Sequence, residues 1–203
     1  MLNWVFYAFE KDSYAVFRVM NSHKTLLSES ELMAYSAEHL RYEMQMFFAT
    51  AQILSRMSLS DNSSDLEKIC SNAYMESFVI HLRNLSEFLY PKRSKKNSVI
   101  AEDFFTNPMD WKRLRPKESK VLQHARERSH RELAHLTSDR LNVTPSAKQW
   151  AFIALATEIK CLLETFANSA YPARIDACIK TILASTDLST FPFTITDPST
   201  RSI

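Results

Sequence analysis

Residues 124–140 bring together the side-chain types that could perform acid–base chemistry on a phosphate. If this polar segment is helical, Arg128 and His135 are seven residues apart and project from nearly the same face. Arg131 and His135 are four residues apart and adjacent on that face. A histidine can exchange protons near neutral pH, and an arginine can hold a phosphate and stabilise charge that develops on it. These three side chains could therefore cleave RNA without a metal, with the ribose 2′-hydroxyl as the nucleophile.

The spacing of this pair resembles the motif of the HEPN superfamily, in which an Arg is followed after four to six residues by a His late in a helical bundle. Six residues separate Arg128 from His135, and Ser129 stands where the family often has Asn. Many members are ribonucleases, and active members typically pair the motifs of two protomers across a cleft. The resemblance implies a homodimer in which His135 is the general acid/base and Arg128 or Arg131 contacts phosphate. It equally admits a non-catalytic relative that keeps only the bundle.

A wider set of residues resembles a group of uncharacterised bacterial all-helical proteins. The resemblance covers about a third of the chain and implies no activity. The residues that carry it are Glu76-Ser77-Phe78, His81-Leu82-Arg83-Asn84-Leu85, Ala101-Glu102-Asp103-Phe104, Ala134-His135-Leu136-Thr137 and Arg140.

A second group of polar residues is predicted beside the apolar stripe of a helix at 65–90. These side chains could line the same cleft as His135. Alternatively, Glu76 and Arg83 pair with the polar helix while His81 is a hydrogen-bonded core histidine. Buried charges usually occur in pairs, which favours the structural interpretation. The predicted polar cluster comprises Glu76, His81, Arg83, Asn84, Asp103 and Arg140.

Positive charge is concentrated between residues 91 and 131, which hold twelve lysines and arginines against five acids. The formal net charge of the whole chain is only +2. Such asymmetry is compatible with RNA or another polyanion as a partner. It is also compatible with a basic loop and a solvated helix face. The predicted basic patch comprises Lys92, Arg93, Lys95, Lys96, Lys112, Arg113 and Arg115.

The Glu-x-x-His spacing of di-iron bundles occurs twice, at 127–130 and 132–135. Those proteins need the motif on two different helices, and here both copies fall on one. His39 and Glu43 could add ligands, but nothing in the pattern requires it. We therefore predict no metal and no cofactor.

The chain contains no glycine among its 203 residues. Glycine-dependent phosphate loops, dinucleotide turns and nucleophile elbows are therefore excluded. Tight hairpins are disfavoured, because their turns depend on positive φ. The composition predicts helices joined by turns of Pro, Asn, Ser and Asp.

We predict that all of these candidate site residues lie on helices or on the turns between them. The predicted fold is all-α, a bundle of four to five helices. Residues 28–184 form this bundle, 1–27 are either a short hairpin or an extension, and 185–203 are a flexible tail. The predicted helices are 28–57, 65–90, 116–137, 144–168 and a short fifth at 172–184, with a short helical turn within 99–115. The apolar stripe of the first is Leu32, Tyr35, His39, Tyr42, Met46, Ala49 and Ile53, and that of the second is Leu66, Ile69, Ala73, Phe78, Leu82, Leu85 and Leu89. The fourth is apolar nearly all round and is expected to be the most buried.

The longest apolar run near the N-terminus, residues 4–9, is far shorter than a membrane span. Three scattered cysteines without CxxC spacing predict buried, reduced thiols and a cytoplasmic protein outside the membrane. The function that we expect is an interaction or regulatory module with a structural polar core. The alternative is a HEPN-like, metal-independent ribonuclease.

Overall fold

The computed structural model describes residues 26–57, 62–92, 97–132 and 150–188, and all regular structure within these ranges is helical. Six α-helices within these ranges confirm the all-α prediction, with one more than expected because a short helix forms within 99–115. The helices are α1 (Glu29–Tyr35 and Arg41–Arg56, joined by a π-helical turn at Ser36–Leu40), α2 (Asp65–Leu89), α3 (Pro108–Leu114), α4 (Lys120–Glu132), α5 (Phe152–Ser169) and α6 (Ala177–Ser185). Short 3-10 turns form at Ala101–Phe104 and Pro172–Arg174.

Helices α1 and α2 begin with the same local device, a capping box. The hydroxyl of Ser28 accepts from the backbone N–H of Glu31, and the Glu31 carboxylate accepts from the backbone N–H of Ser28 at 2.7 Å. Ser64 and Glu67 repeat this exchange at the start of α2. Each box satisfies backbone donors that the first helical turn would leave without a partner.

The π turn decides which face of α1 meets the core. Within it the backbone N–H of Arg41 bonds to the carbonyl of Ser36, five residues back. Four-residue steps along a regular α-helix drift by about 40°, and the wider π turn offsets that drift. Leu32, Ser36, Leu40 and Met44 therefore stay buried on one face.

The stripe predicted for α1 is consequently wrong at four of its seven positions, whereas Leu32 is buried, Tyr35 packs partly buried against the core and Met46 is half-buried. His39, Tyr42, Ala49 and Ile53 are exposed. The residues that α1 buries from the end of the π turn onward are Leu40, Met44, Phe47, Phe48, Thr50, Ala51 and Leu54. The spacing of apolar residues could not indicate which face of α1 is buried after the turn, because the prediction assumed an uninterrupted α-helix.

The core forms where α1, α2 and α5 pack together, with α4 and α6 contacting its sides. Phe78 stacks on Phe47 at 5.1 Å between ring centroids and meets Phe152 edge-on at 5.1 Å. Helix α5 is buried along its length, as predicted, through Ile153, Leu155, Ala156, Ile159, Leu162, Leu163, Phe166 and Ala167. It begins at Phe152, later than the predicted residue 144, and Trp150 precedes it.

Helix α2 is buried in its second half only. Its buried residues run from Phe78 to Leu89, whereas Leu66 and Ile69 are 69% and 63% exposed and Ala73 is exposed too. The predicted stripe is therefore wrong for the first half of α2. The physical reason is that α5 reaches α2 at Phe78, through Phe152, and the amphipathic pattern alone does not tell where a neighbour starts.

The last described residues still belong to the bundle. Asp176 caps α6 by accepting from the backbone N–H of Cys178, and its own N–H donates to the buried hydroxyl of Ser36 at 2.8 Å. Leu188 packs against the core. The predictions for residues 1–25 and 189–203 lie outside the described residues. No helix within the described ranges has the length and apolar character that crossing a bilayer would require.

Candidate functional site

Arg128, the first candidate for a phosphate contact, lies in the interior of the bundle. Its side chain is in α4, 7% of the residue is exposed, and its guanidinium carbon lies 4.1 Å from the centroid of the Trp150 ring. Trp150 in turn meets Phe78 edge-on at 6.3 Å. A cation over an indole face is a favourable packing contact. The guanidinium therefore takes part in the packing between α4, the start of α5 and α2.

The remaining candidates for catalysis are placed only in part. Arg131 lies in α4, and its side chain is outside the described residues, as is all of His135. Arg140 of the predicted polar cluster is outside them too. The pairing of His135 with Arg128 or Arg131 stays a prediction.

Two members of the predicted polar cluster meet at a carboxylate of α1. Nδ1 of His81 lies 2.7 Å from Oε2 of Glu43, and the side-chain amide of Asn84 donates to both oxygens of Glu43 at 3.1 Å. His81 is 6% exposed, and Tyr42 meets its ring edge-on at 5.5 Å. His81 is thus a hydrogen-bonded core histidine, as the structural interpretation predicted, and its partner, which the sequence did not indicate, is Glu43 of α1.

The other described members of that cluster are dispersed. Arg83 pairs with Glu87 one turn along α2 at 3.0 Å, so the predicted pair with the polar helix is wrong for Arg83. Glu76 is exposed in the first half of α2. Asp103 accepts from the backbone N–H of Ile100 and caps the 3-10 turn.

The predicted basic patch does not form one free cationic surface in the described part of the chain. Lys112 pairs with Glu102 at 3.5 Å, and Arg113 pairs with Asp110 at 3.7 Å. Lys92 is exposed. Three members lie outside the described residues: Arg93, Lys95 and Lys96.

Arg115, the last member of the patch, binds the end of α2. Its Nη1 and the indole Nε1 of Trp111 both donate to the carbonyl of Leu89 at 3.0 Å. Nη1 of Arg126 donates to the next carbonyl, that of Tyr90, at 2.8 Å. Helix ends leave such carbonyls without intrahelical partners, and positive charge is favourable there. The two arginines therefore have a structural role that the sequence analysis missed, since a count of charges does not indicate which ones cap a helix.

Arg126 also forms a buried ion pair. Its Nη2 donates to Oε2 of Glu118 at 2.9 Å, with 6% and 10% of the two side chains exposed. Burial raises the pKa of Glu118 above its ordinary value, although the charge of Arg126 opposes this effect. Nε of Arg126 and Oε1 of Glu118 are buried without hydrogen-bond partners.

A cleft of about 590 Å³ opens beside this pair, between α1, α2, α4 and residues 97–100. We refer to it as the α1–α2–α4 cleft. Its volume lies in the range of small-molecule sites. Its lining residues are Tyr35, Leu40, Glu43, Arg83, Asn84, Leu85, Glu87, Phe88, Pro91, Lys92, Asn97, Ser98, Val99, Ile100 and Arg126.

The three cysteines are free thiols. Cys70 and Cys161 are exposed, so the prediction of three buried thiols is wrong for these two, and Cys178 is half-buried. Burial, assisted by a hydrogen bond with Asp176, raises the pKa of Cys178 to about 11. Because the thiolate is the reactive form, Cys178 is a poor nucleophile at neutral pH.

No three His, Cys, Asp or Glu side chains gather into a potential metal site within the part of the chain that the structure describes. The described geometry offers the Glu43–His81–Asn84 cluster and the α1–α2–α4 cleft, and two smaller cavities of about 470 and 380 Å³ lie on either side of Phe105 and Thr106. No protein-family model, no curated protein and no solved structure matches this chain at a significant level.

Proposed function

We propose that this chain is a non-catalytic interaction or regulatory module, a helical bundle whose polar core is structural. The observation that carries the proposal is the environment of Arg128, which is 7% exposed and stacked on Trp150. A phosphate-binding arginine must present its guanidinium to a polyanion, and a guanidinium packed between helices presents little of it.

The Glu43–His81–Asn84 cluster supports the same proposal. Glu43 accepts hydrogen bonds at both oxygens from groups on α2, and His81 is buried against it. A general base must reach a substrate proton, and a carboxylate whose acceptors are already used in tying α1 to α2 is poorly suited to that. The cluster instead resembles the satisfied polar networks that specify how two helices pack.

The competing hypothesis is a HEPN-like, metal-independent ribonuclease that binds RNA, with His135 as its acid/base. The test is cleavage of single-stranded and structured RNAs in EDTA by wild-type protein and by His135→Ala. We expect no cleavage above a buffer control from either protein. Cleavage by the wild type that is lost in His135→Ala would overturn the proposal.

A stability measurement on Arg128 complements the cleavage assay. We expect Arg128→Ala to lower the free energy of unfolding by about 1–3 kcal/mol, because it removes the stack on Trp150 and the packing of the side-chain stem. Lys120→Ala, at an exposed position of α4, is the matched control and should change stability by less than about 0.5 kcal/mol. Equal, small effects of both substitutions would argue for a solvent-facing Arg128.

A homodimer in the reducing environment of the cytoplasm is part of this proposal. The first half of α2 exposes Leu66 and Ile69, which lie three residues apart on one face, and a dimer contact would remove these two apolar side chains from water. The free thiols support a reducing compartment. Light scattering should give twice the chain mass of 23.5 kDa, and Leu66→Glu with Ile69→Glu should shift the protein to the monomer mass. A monomeric wild type would contradict the dimer.

A further inference from the structure

The solvent side of the α1–α2 pair carries an apolar surface opposite the core. In α1, Ala51 is fully buried, whereas Ala49, two positions earlier, is exposed. In α2, Phe78 is fully buried, whereas Ile80, two positions later, is 51% exposed. Residues two positions apart project about 200° from each other on a helix. Each helix therefore turns one side to the core and the opposite side to solvent.

Contacts between the two helices fix how these solvent sides line up. Glu43 meets His81, and Phe47, one turn later in α1, stacks on Phe78, nearly one turn earlier in α2, so the helices run antiparallel. Tyr42 meets the His81 ring edge-on at 5.5 Å and is still 54% exposed. It therefore lies where the seam between α1 and α2 opens to solvent. The exposed positions that follow it at helical spacing along each helix share one outward face.

We refer to this surface as the outer face. It consists of one stripe from each helix, apolar except for Ser77, and neither stripe contains a charged residue. Met46 and Ser77 are half-buried, and the other members are exposed. Glu76 lies at the edge of the α2 stripe, and Glu87 lies beyond its end. The outer face comprises Tyr42, Met46, Ala49 and Ile53 of α1 and Leu66, Ile69, Ala73, Ser77 and Ile80 of α2.

The outer face accounts for much of the apolar repeat that the sequence analysis assigned to the core. Tyr42, Ala49 and Ile53 belong to the stripe predicted for α1, and after the π turn they face solvent. Leu66 and Ile69 belong to the stripe predicted for α2 and are exposed as well. Apolar side chains gain free energy only when they leave water, so this second repeat stabilises a state in which a partner covers it.

The size of the outer face indicates a partner that is two helices wide. The stripes run over residues 42–53 and 66–80, so each is about 20 Å long, and two packed helices are about 20 Å across. The face therefore measures on the order of 400 Å², in the range of the largest apolar patches on monomeric proteins, which are often functional. A single helix or an extended peptide would cover one stripe and leave the other in water.

A second copy of this chain meets these requirements. Its outer face has the same width and the same apolar character. Because the stripes are uncharged, two copies can bring them together without opposing like charges at the centre of the contact. The polar residues that flank the stripes extend the contact toward the roughly 800 Å² per partner of a standard interface. A nucleic acid, in contrast, requires cationic groups, and the outer face supplies none.

We propose that the outer face of α1 and α2 binds the outer face of a second copy, so that two helix pairs stack on each other across a two-fold axis. This inference rests on the homodimer of the proposed function. It extends the contact from Leu66 and Ile69 to the stripe of α1 and to Ile80 in the second half of α2.

The test introduces a carboxylate into the parts of the outer face that the inference adds. Ala49→Glu and Ile80→Glu should each weaken dimerisation at least about tenfold, because a dimer would bury the new charge without a partner. Light scattering over a concentration series measures this as a shift from the dimer mass to the monomer mass. Both positions are exposed in the single chain, so each variant should fold, which circular dichroism verifies.

Ser55→Glu and Asn72→Glu are the matched controls. Both positions are exposed; Ser55 lies two positions from Ile53 on the other side of α1, and Asn72 lies about 100° from Ala73 around α2. Both variants should keep the dimer mass of the wild type.

The outcomes separate this inference from the dimer on which it rests. If Leu66→Glu with Ile69→Glu gives monomers while Ala49→Glu or Ile80→Glu stays dimeric, the dimer stands and the wider outer face is wrong. A monomeric wild type would overturn both. A monomer that Ala49→Glu destabilises far more than Ser55→Glu does would show that the chain itself covers the face, which also contradicts the inference.

Discussion

The two halves of α2 belong to one continuous helix, but only the second half is buried against the rest of the bundle. Residues from Phe78 to Leu89 carry all of its buried side chains, and the last carbonyls of this half accept bonds from Trp111, Arg115 and Arg126. Residues 65–77 contain no fully buried side chain, and their described anchoring is the capping box at Ser64 and the partly buried side chain of Met75, which packs against the core. An apolar repeat at helical spacing is present in both halves. An apolar repeat therefore predicts a helix, whereas the burial of its side chains depends on where a neighbouring helix begins.

The same difference predicts a gradient of local stability along α2. Regions with few buried apolar contacts open at lower free energy than the core. The first half should therefore unfold locally while the second half stays folded. The effects of substitutions on stability should differ between the two halves by more than the difference in side-chain size explains.

Phe78→Ala should have the largest effect. It removes a ring that contacts Phe47, Phe152 and Trp150, and large-to-small substitutions at such positions destabilise by about 3–5 kcal/mol. Denaturant unfolding followed by circular dichroism measures it. Lys68→Ala is the control in the exposed half, away from the proposed dimer contacts Leu66 and Ile69, and we expect a change within about 0.5 kcal/mol. Comparable losses in the two variants would mean that the halves are equally anchored.

Loss of the donors at Leu89 should have an intermediate effect. Trp111→Phe and Arg115→Gln each leave the Leu89 carbonyl one donor, so each should cost only the net value of one hydrogen bond, about 0.5–1.5 kcal/mol. The double variant leaves a buried carbonyl without either donor. Its destabilisation should exceed the sum of the single losses, and strict additivity would show that the two donors do not act on one acceptor.

The smallest effect is expected at the capping box of α2, in acid. Hydrogen bonds from the backbone and hydroxyl of Ser64 lower the pKa of Glu67 below its ordinary value of 4.5. The stabilisation from this carboxylate is therefore complete above pH 4.5 and is lost as the pH falls through the lower pKa of the folded state. Protection factors of the amides in the first turns of α2, which are corrected for the intrinsic exchange rate, should fall with acid more steeply in the wild type than in Glu67→Gln.

Glu76→Gln is the matched control for that experiment, since Glu76 lies in the same half of α2 and outside the capping box. It should keep the acid dependence of the wild type. If Glu67→Gln also keeps it, the Ser64–Glu67 exchange does not stabilise the helix end.

Much of the fold could be predicted from composition and caps. The absence of glycine predicted helices and disfavoured tight hairpins. The described helices that end at Met57, Arg115 and Ala170 continue directly into extended backbone, with ψ of 123°, 133° and 151°. Ser28 was identifiable as a cap from its acidic followers. The phase of α1 was not predictable, because the π turn leaves no signature in the apolar pattern.

The candidate site was predictable only where a residue's own helix decides its role. His81 sits between apolar neighbours of α2, and its core position follows from that. Its partner Glu43 lies on α1. Predicting this contact requires knowing which face of α1 the π turn directs toward α2. Arg126 was overlooked beside Arg128 because both look alike in a polar segment. Their separation appears only once Tyr90 and Trp150 are placed on opposite sides of α4.

The π turn at Ser36–Leu40 also bears on how α1 tolerates changes of length. A π turn amounts to an α-helix that carries one surplus residue. Deleting a residue elsewhere in α1 would rotate everything downstream by about 100° and turn Phe47 away from Phe78. Deleting one within the turn would restore an ordinary helix and keep both flanks in place, at the expense of the bond between Ser36 and the start of α6.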